Sequence, residues 1–219
     1  MPGSYGRAAG RWRGGLAILV LGASLGSAVG IPELPVLSPS SSSAMTLQKW
    51  FEKAVRRLEA SFTPAQARRG QTVTFSLTVH LQEGYYTYPT RQSDPQAAAL
   101  VNELRFPDPQ EVIFVGAVED PKTARVKAEP QAGIQNLRYC TGIVTYIRAA
   151  VVHPQAPAGP VTVRLPKVRL NLCDANTCFP VKEVAVEATL TILDGPPLPV
   201  EARYAEEVRR VLEKSPARK

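Results

Sequence analysis

The clearest pattern in the chain lies at residues 71–81 (QTVTFSLTVHL), where Val73, Phe75, Leu77, Val79 and Leu81 alternate with Thr72, Thr74, Ser76, Thr78 and His80. Side chains of a strand point to opposite faces in turn, so this run predicts a half-buried strand with β-branched residues on its polar side. The alternation returns at residues 184–192, where Val184, Val186, Ala188, Leu190 and Ile192 share one face. Apolar runs at 111–115, 143–152, 161–165 and 168–172 add four more candidate strands. Pro107, Pro109, Pro121, Pro130, Pro154, Pro157, Pro160 and Pro180 fall between the runs, as expected of residues whose missing N–H interrupts a ladder. Short strands without helical crossovers predict an all-β domain of two packed antiparallel sheets over residues 64–194.

Two segments have a different period. Leu47, Trp50, Phe51, Val55, Leu58 and Phe62 recur near helical spacing with Lys and Arg between them, which predicts a short amphipathic helix over residues 46–63 that packs against the sheet. Residues 200–213 (VEARYAEEVRRVLE), after Gly195-Pro196-Pro197, predict a second helix within a C-terminal segment at 195–219.

The first thirty residues stand apart. Arg7, Arg11 and Arg13 come with no acid, residues 16–25 (LAILVLGASL) are apolar, and small residues follow around Ala28 and Gly30. Basic start, short apolar stretch and small-residue exit are the order of a secretory signal. The stretch falls short of the roughly 20 residues that span a bilayer. The first cysteine is Cys140, so no thiol near the cleavage region could carry a lipid anchor. Residues 31–45 (IPELPVLSPSSSSAM) read as a flexible Pro/Ser-rich tether. The expectation is an exported, soluble protein.

Removing three arginines and no acid lowers the formal charge from +7 to +4. The remaining Lys and Arg are interspersed with acids, which predicts a solvated mixed surface and no nucleic-acid partner. His80 and His153 have no ligand spacing to the cysteines, so no metal site is expected, and no Gly-rich phosphate loop or hydrolytic constellation can be singled out. No cofactor is called for.

The chain has three cysteines. In an oxidising compartment two near neighbours pair, which selects Cys173 and Cys178 and leaves Cys140 over. The segment 168–192 puts Cys173 at the end of one strand and Cys178 at the start of the next, with Asp174, Ala175, Asn176 and Thr177 as the turn. Opposed residues of an antiparallel pair are close enough to be bridged. Closing so short a loop stabilises the fold by only about 2 kcal/mol, less than a long-range staple would. A disulfide at a hairpin tip is open to an incoming thiolate. Asp174 beside Cys173 disfavours ionisation, so neither thiol stands out as a strongly acidic nucleophile. On the residues alone, a local brace and an exchange site both remain open.

The run CDANTCFPVKEVAVEATLTI, together with QEGYYTYP at residues 82–89, resembles the N-terminal periplasmic domain of the thiol:disulfide interchange protein DsbD. That family has a Gly-Tyr-Tyr-x-Tyr segment after an early strand. It also has a closely spaced Cys pair, followed by an apolar residue and Pro, ahead of a final alternating strand. The resemblance spans roughly residues 64–194 and implies an immunoglobulin-like sandwich with the redox cysteines at one end. It implies that Cys173 and Cys178 exchange disulfides with thioredoxin-like proteins and a membrane electron-transfer protein, in a monomer without small-molecule cofactor. Tyr86, Tyr88, Phe179 and Pro180 match family positions that would support the site, the tyrosines packing near the cysteine hairpin. Two features depart from the family. No Phe, Trp or Tyr lies between Phe114 and Tyr139, the region of the family's aromatic cap, so shielding is expected to be weaker or done by aliphatic side chains. The sequence continues into no transporter, so either a separate subunit or a module kept for another purpose is expected. Cys140 is outside the family's pair and is expected to be a buried free thiol. The rival reading is a non-catalytic immunoglobulin-like binding or scaffold module whose bridge only braces a hairpin.

Overall fold

The computed structural model describes residues 49–214, so the expected signal at 1–30 and tether at 31–45 lie outside the described residues. Twelve strands follow in chain order: β1 (Val55–Thr63), β2 (Gln66–Arg68), β3 (Thr72–Leu81), β4 (Tyr86–Thr87), β5 (Glu103–Arg105), β6 (Val112–Glu119), β7 (Arg125–Glu129), β8 (Ile134–Thr141), β9 (Ile143–Val152), β10 (Gly159–Leu170), β11 (Leu172–Cys173) and β12 (Lys182–Leu193). Residues 49–54 are helical, and a helix at Ala202–Lys214 ends the described chain. Among the described residues no helix is long and apolar enough to cross a membrane.

The protein is the all-β sandwich that the alternation predicts, with short flanking helices. One sheet has the order β1-β3-β9-β6 and the other β2-β12-β10-β5. Val73, Phe75, Leu77, Val79 and Leu81 of β3 are buried with Leu165, Leu170, Leu190 and Ile192 of the facing sheet, in one core that removes apolar surface from water. Strand pairing is antiparallel throughout the described residues except for β2, which adds its three residues parallel to the end of β12. The C-terminal helix covers the opposite side of β6 and β9, where Val208, Tyr204 and Leu212 pack on Ile113, Val115 and Val151.

The helix expected over residues 46–63 ends at residue 54, and β1 takes the rest. Val55 pairs with Leu81 but Arg57 with His80, so one extra residue bulges from β1. The bulge brings Val55 to the face of Leu58, Ala60 and Phe62, all packed into the core. Spacings of three and four between Val55, Leu58 and Phe62 therefore imitate a helix. The ladder to β3 decides for strand.

A second bulge corrects the expected strands at 161–165 and 168–172. Leu165 pairs with Val186 and Val168 with Val184, so β10 is one continuous strand that accommodates Pro166 where its ladder is interrupted. Pro160, expected between strands, lies near the start of the same strand opposite Thr191. The run then breaks at Asn171, and Leu172 belongs to β11 in a third sheet, ordered β11-β4-β8-β7. This small sheet was not expected from the sequence. It carries both cysteines' surroundings.

Candidate functional site

Cys173 ends β11, and Cys178 faces it across the hairpin as an isolated bridge pair. The ladder hydrogen bonds flank the pair: Asp174 N–H donates to Thr177 O at 2.9 Å and Phe179 N–H to Leu172 O at 2.9 Å. Cys173 and Cys178 thus occupy a non-hydrogen-bonded position, the closer of the two antiparallel spacings. Their Cα atoms are 4.0 Å apart and the sulfurs are bonded. The turn is fixed by Asp174, whose Oδ1 accepts N–H from Asn176 at 2.8 Å and Thr177 at 2.9 Å.

The two sulfurs have unlike surroundings. Cys173 is 0 % exposed, packed among Tyr88, Ala97, Ile134 and Leu137, whereas Cys178 is an exposed residue. Ile134 and Leu137 of β8 pack in one cluster with Cys173, whereas Cys178 is left exposed. An open groove of about 310 Å³ lies beside the bridge, with Tyr86, Tyr88, Glu129, Gln131, Ile134 and Cys178 on its walls.

Tyr88 reaches the sulfurs directly. Its hydroxyl is 3.2 Å from Cys173 Sγ and 3.6 Å from Cys178 Sγ. Burial first, and then the charge and hydrogen bonding of Tyr86 and the charge of Glu129, hold the Tyr88 phenol well above its usual range. It stays protonated and can donate. Tyr86 stands behind it, 5.8 Å ring to ring in an edge-to-face contact, and pairs with Cys173 across β4 and β11. Phe179 belongs to a second aromatic group, stacked 5.0 Å from Trp50 and tilted against Tyr85 at 5.9 Å, so the helical residues 49–54 pack on the segment leaving Cys178. Pro180 follows it, exposed.

A buried polar cluster that the sequence reading missed holds Tyr88 in place. Asn102 donates from Nδ2 toward Thr87 Oγ1 (2.8 Å), Tyr88 O (2.9 Å) and the Tyr146 hydroxyl (2.7 Å), and the Tyr146 hydroxyl donates to Tyr88 O at 2.5 Å. On the other side Asn102 Oδ1 accepts the Asn171 N–H at 2.8 Å, the Asn171 side chain donates to Val101 O, and Thr87 donates to Asn171 O at 2.7 Å. Polar groups inside a core are tolerated when they satisfy one another. Asn102 lies outside every predicted strand, directly before β5, and only its burial in the fold marks it.

Cys140 is free and buried, as expected. It pairs with Thr87, which in turn pairs with Leu172, so its side chain shares their face and packs into the sandwich core. Cys173 lies on the other face. Burial first, then the charge of Asp120, pushes the Cys140 thiol up to about 11, with Arg138 opposing.

Fold and site together define a β-sandwich domain that carries a hairpin disulfide between one exposed and one buried sulfur. Among solved structures the chain is similar to the N-terminal periplasmic domain of ScsB from Proteus mirabilis, at 15% identity and a TM-score of 0.37 over 70% of this chain. It covers about half, 53%, of that solved chain. A second likeness is to BcpA, the major pilin subunit of Bacillus cereus, at 9% identity and a TM-score of 0.31 over 62% of this chain and 40% of that one. No family model and no curated protein matches the sequence. Neither structural likeness bears on chemistry, and what the site can do follows from its own atoms.

Proposed function

We propose that this chain is an exported thiol–disulfide exchange protein that passes electrons through the Cys173–Cys178 bridge. The observation that carries the reading is the inequality of the two sulfurs. An incoming thiolate has access to Cys178, and in-line displacement then expels Cys173. The partner's sulfur bonds to Cys178, the Cys173–Cys178 bond breaks, and its electron pair leaves on Cys173 Sγ beside the protonated Tyr88 hydroxyl. A second thiolate of the partner attacks the mixed disulfide, so the partner ends as a disulfide and this chain as a dithiol. The reverse sequence hands the electrons on to an oxidised partner.

A brace is the weaker reading, because the hairpin is already held by two flanking ladder bonds and the Asp174 turn. The basic and apolar start of the sequence supports export. The DsbD-like motifs support thioredoxin-like proteins and a membrane electron-transfer protein as partners, with Tyr86, Tyr88, Phe179 and Pro180 as supporting residues.

The test is covalent trapping in the exported fraction. Cys173→Ala leaves the exposed Cys178 to form a mixed disulfide that no neighbour resolves, and it is expected to capture thioredoxin-like partners. Cys178→Ala, which leaves only the buried sulfur, is expected to capture far less. The reading fails if neither variant captures a partner and the bridge has a reduction potential below about −300 mV, the range of structural disulfides.

A further inference from the structure

Lys127 is out of character for its position. It pairs with Leu137 across β7 and β8, and so shares the face on which Tyr88, Ile134 and Leu137 surround Cys173. An apolar residue there would extend the cluster without desolvating a charge. Instead Lys127 Nζ lies 4.3 Å from the centre of the Tyr86 ring and 5.3 Å from that of Tyr139, and donates to the Tyr86 hydroxyl at 3.3 Å.

Resting on the exchange reading, we infer that Lys127, held on Tyr86 behind Tyr88, supplies the positive charge that steadies the negative charge arriving on Cys173 when the bridge opens. An ammonium only donates, so its bond to the Tyr86 hydroxyl fixes a positive charge on the Tyr86 ring, which meets the Tyr88 ring edge to face. The Tyr88 hydroxyl lies 3.2 Å from Cys173 Sγ and can donate to it. A positive charge on the face that carries the buried sulfur favours the thiolate over the thiol. Lys127 does not touch the sulfur and is a positioning residue.

The other charged and titratable groups around the cluster set the sign of the test. Glu129 of β7 pairs with Lys127 at 2.7 Å and shares the groove with Asp174 of the hairpin, while Tyr139 of β8 flanks Tyr86. Burial pulls the Lys127 ammonium down, but hydrogen bonds and charges of Glu129 and Tyr86 outweigh it, and its pKa lies above the usual value. Lys127 is therefore positive under working conditions, and Glu129 offsets part of its field at the sulfur.

The experiment follows two readouts on the full chain. One is the Cys173 thiol titration in reduced protein, followed by the ¹³Cβ shift of labelled cysteine. The other is the rate of reduction of the oxidised protein by dithiothreitol. Lys127→Met is expected to lower the Cys173 acid dissociation constant and the reduction rate about threefold to tenfold. Glu129→Gln is expected to raise both, and Lys127→Arg to stay near the parent. Loss of mere packing would not produce opposite signs from the two partners of one ion pair. Unchanged values in both Lys127→Met and Glu129→Gln, or shifts of the same sign, overturn the role assigned to Lys127. A parent bridge that partner dithiols never reduce defeats the exchange reading instead, and the Cys173 titration still decides the role of Lys127.

Discussion

Asn102 Oδ1 accepts the backbone N–H of Asn171 at 2.8 Å, joining points 69 residues apart at the corner where the chain leaves the sandwich for the disulfide hairpin. β10 ends one residue earlier in one sheet, and β11 begins one residue later in another. The same Asn102 side chain bonds the Tyr88 carbonyl. One buried amide therefore sets where both Cys173 and the hydroxyl beside it stand.

Replacing Asn102 by Ala leaves the Asn171 N–H without its acceptor and weakens the fixing of Tyr88. Buried groups deprived of partners cost about 1–3 kcal/mol each, so Asn102→Ala is expected to lower stability by about 2–4 kcal/mol. Urea unfolding with the bridge intact measures this. A loss within about 0.5 kcal/mol, ordinary for a surface change, would show the cluster to be dispensable.

In reduced protein, alkylation should discriminate among the three thiols. Cys178 is exposed, Cys173 is enclosed, and Cys140 is buried with its thiol pushed up to about 11. Thiolate fraction and access both govern reactivity, so Cys178 is expected to react at least about tenfold faster than either neighbour. Peptide mapping after a short iodoacetamide pulse gives the order, and first labelling at Cys140 would contradict the burial pattern.

Tyr88→Phe removes one hydroxyl while keeping the ring in its contact with Tyr86. Hydrogen bonds to charged groups contribute about 1.5–3 kcal/mol, and a sulfur acceptor is at the weak end, so the rate of bridge opening is expected to fall about tenfold. Stopped-flow reduction by dithiothreitol reads it. A parent-like rate would mean that the hydroxyl only fills space.

Asp94 clasps two parts of the groove wall by accepting N–H from Gln96 at 3.0 Å, Gln135 at 2.9 Å and Asn136 at 3.0 Å. Those backbone bonds, led by that of Asn136, hold its carboxyl below the usual 3.8 against the pull of burial. A depressed folded-state pKa gives stability that is complete above the unfolded value and lost as pH falls through the folded one. Asp94→Ala is therefore expected to melt below the parent at pH 7, with the difference shrinking as pH drops under 3.8. Melting curves from pH 7 to pH 2 check the trend, and a constant gap would assign the effect to packing.

Regular alternation made β3 and β12 legible, because each strand shows one unbroken parity to the core from end to end. The adjacent cysteines and the DANT turn made the hairpin legible too. Three of the longer strands that escaped or were misread share one feature. β1 and β10 each contain a bulge, and β8 has an extra residue between Ile134 and Leu137 opposite β7, so buried side chains recur at spacings other than two.

The amino-acid order determined an all-β sandwich, a bonded cysteine pair at a hairpin and a leftover thiol, because period-two patterning, turn residues and short loop closure are local properties. Tertiary structure alone decided which sulfur is buried, which hydroxyl faces it and where the chain changes sheet. Those outcomes depend on partners such as Tyr88, 85 residues from Cys173, and Asn102, 69 from Asn171, and a distant partner leaves no periodic trace in the sequence around the residue it controls.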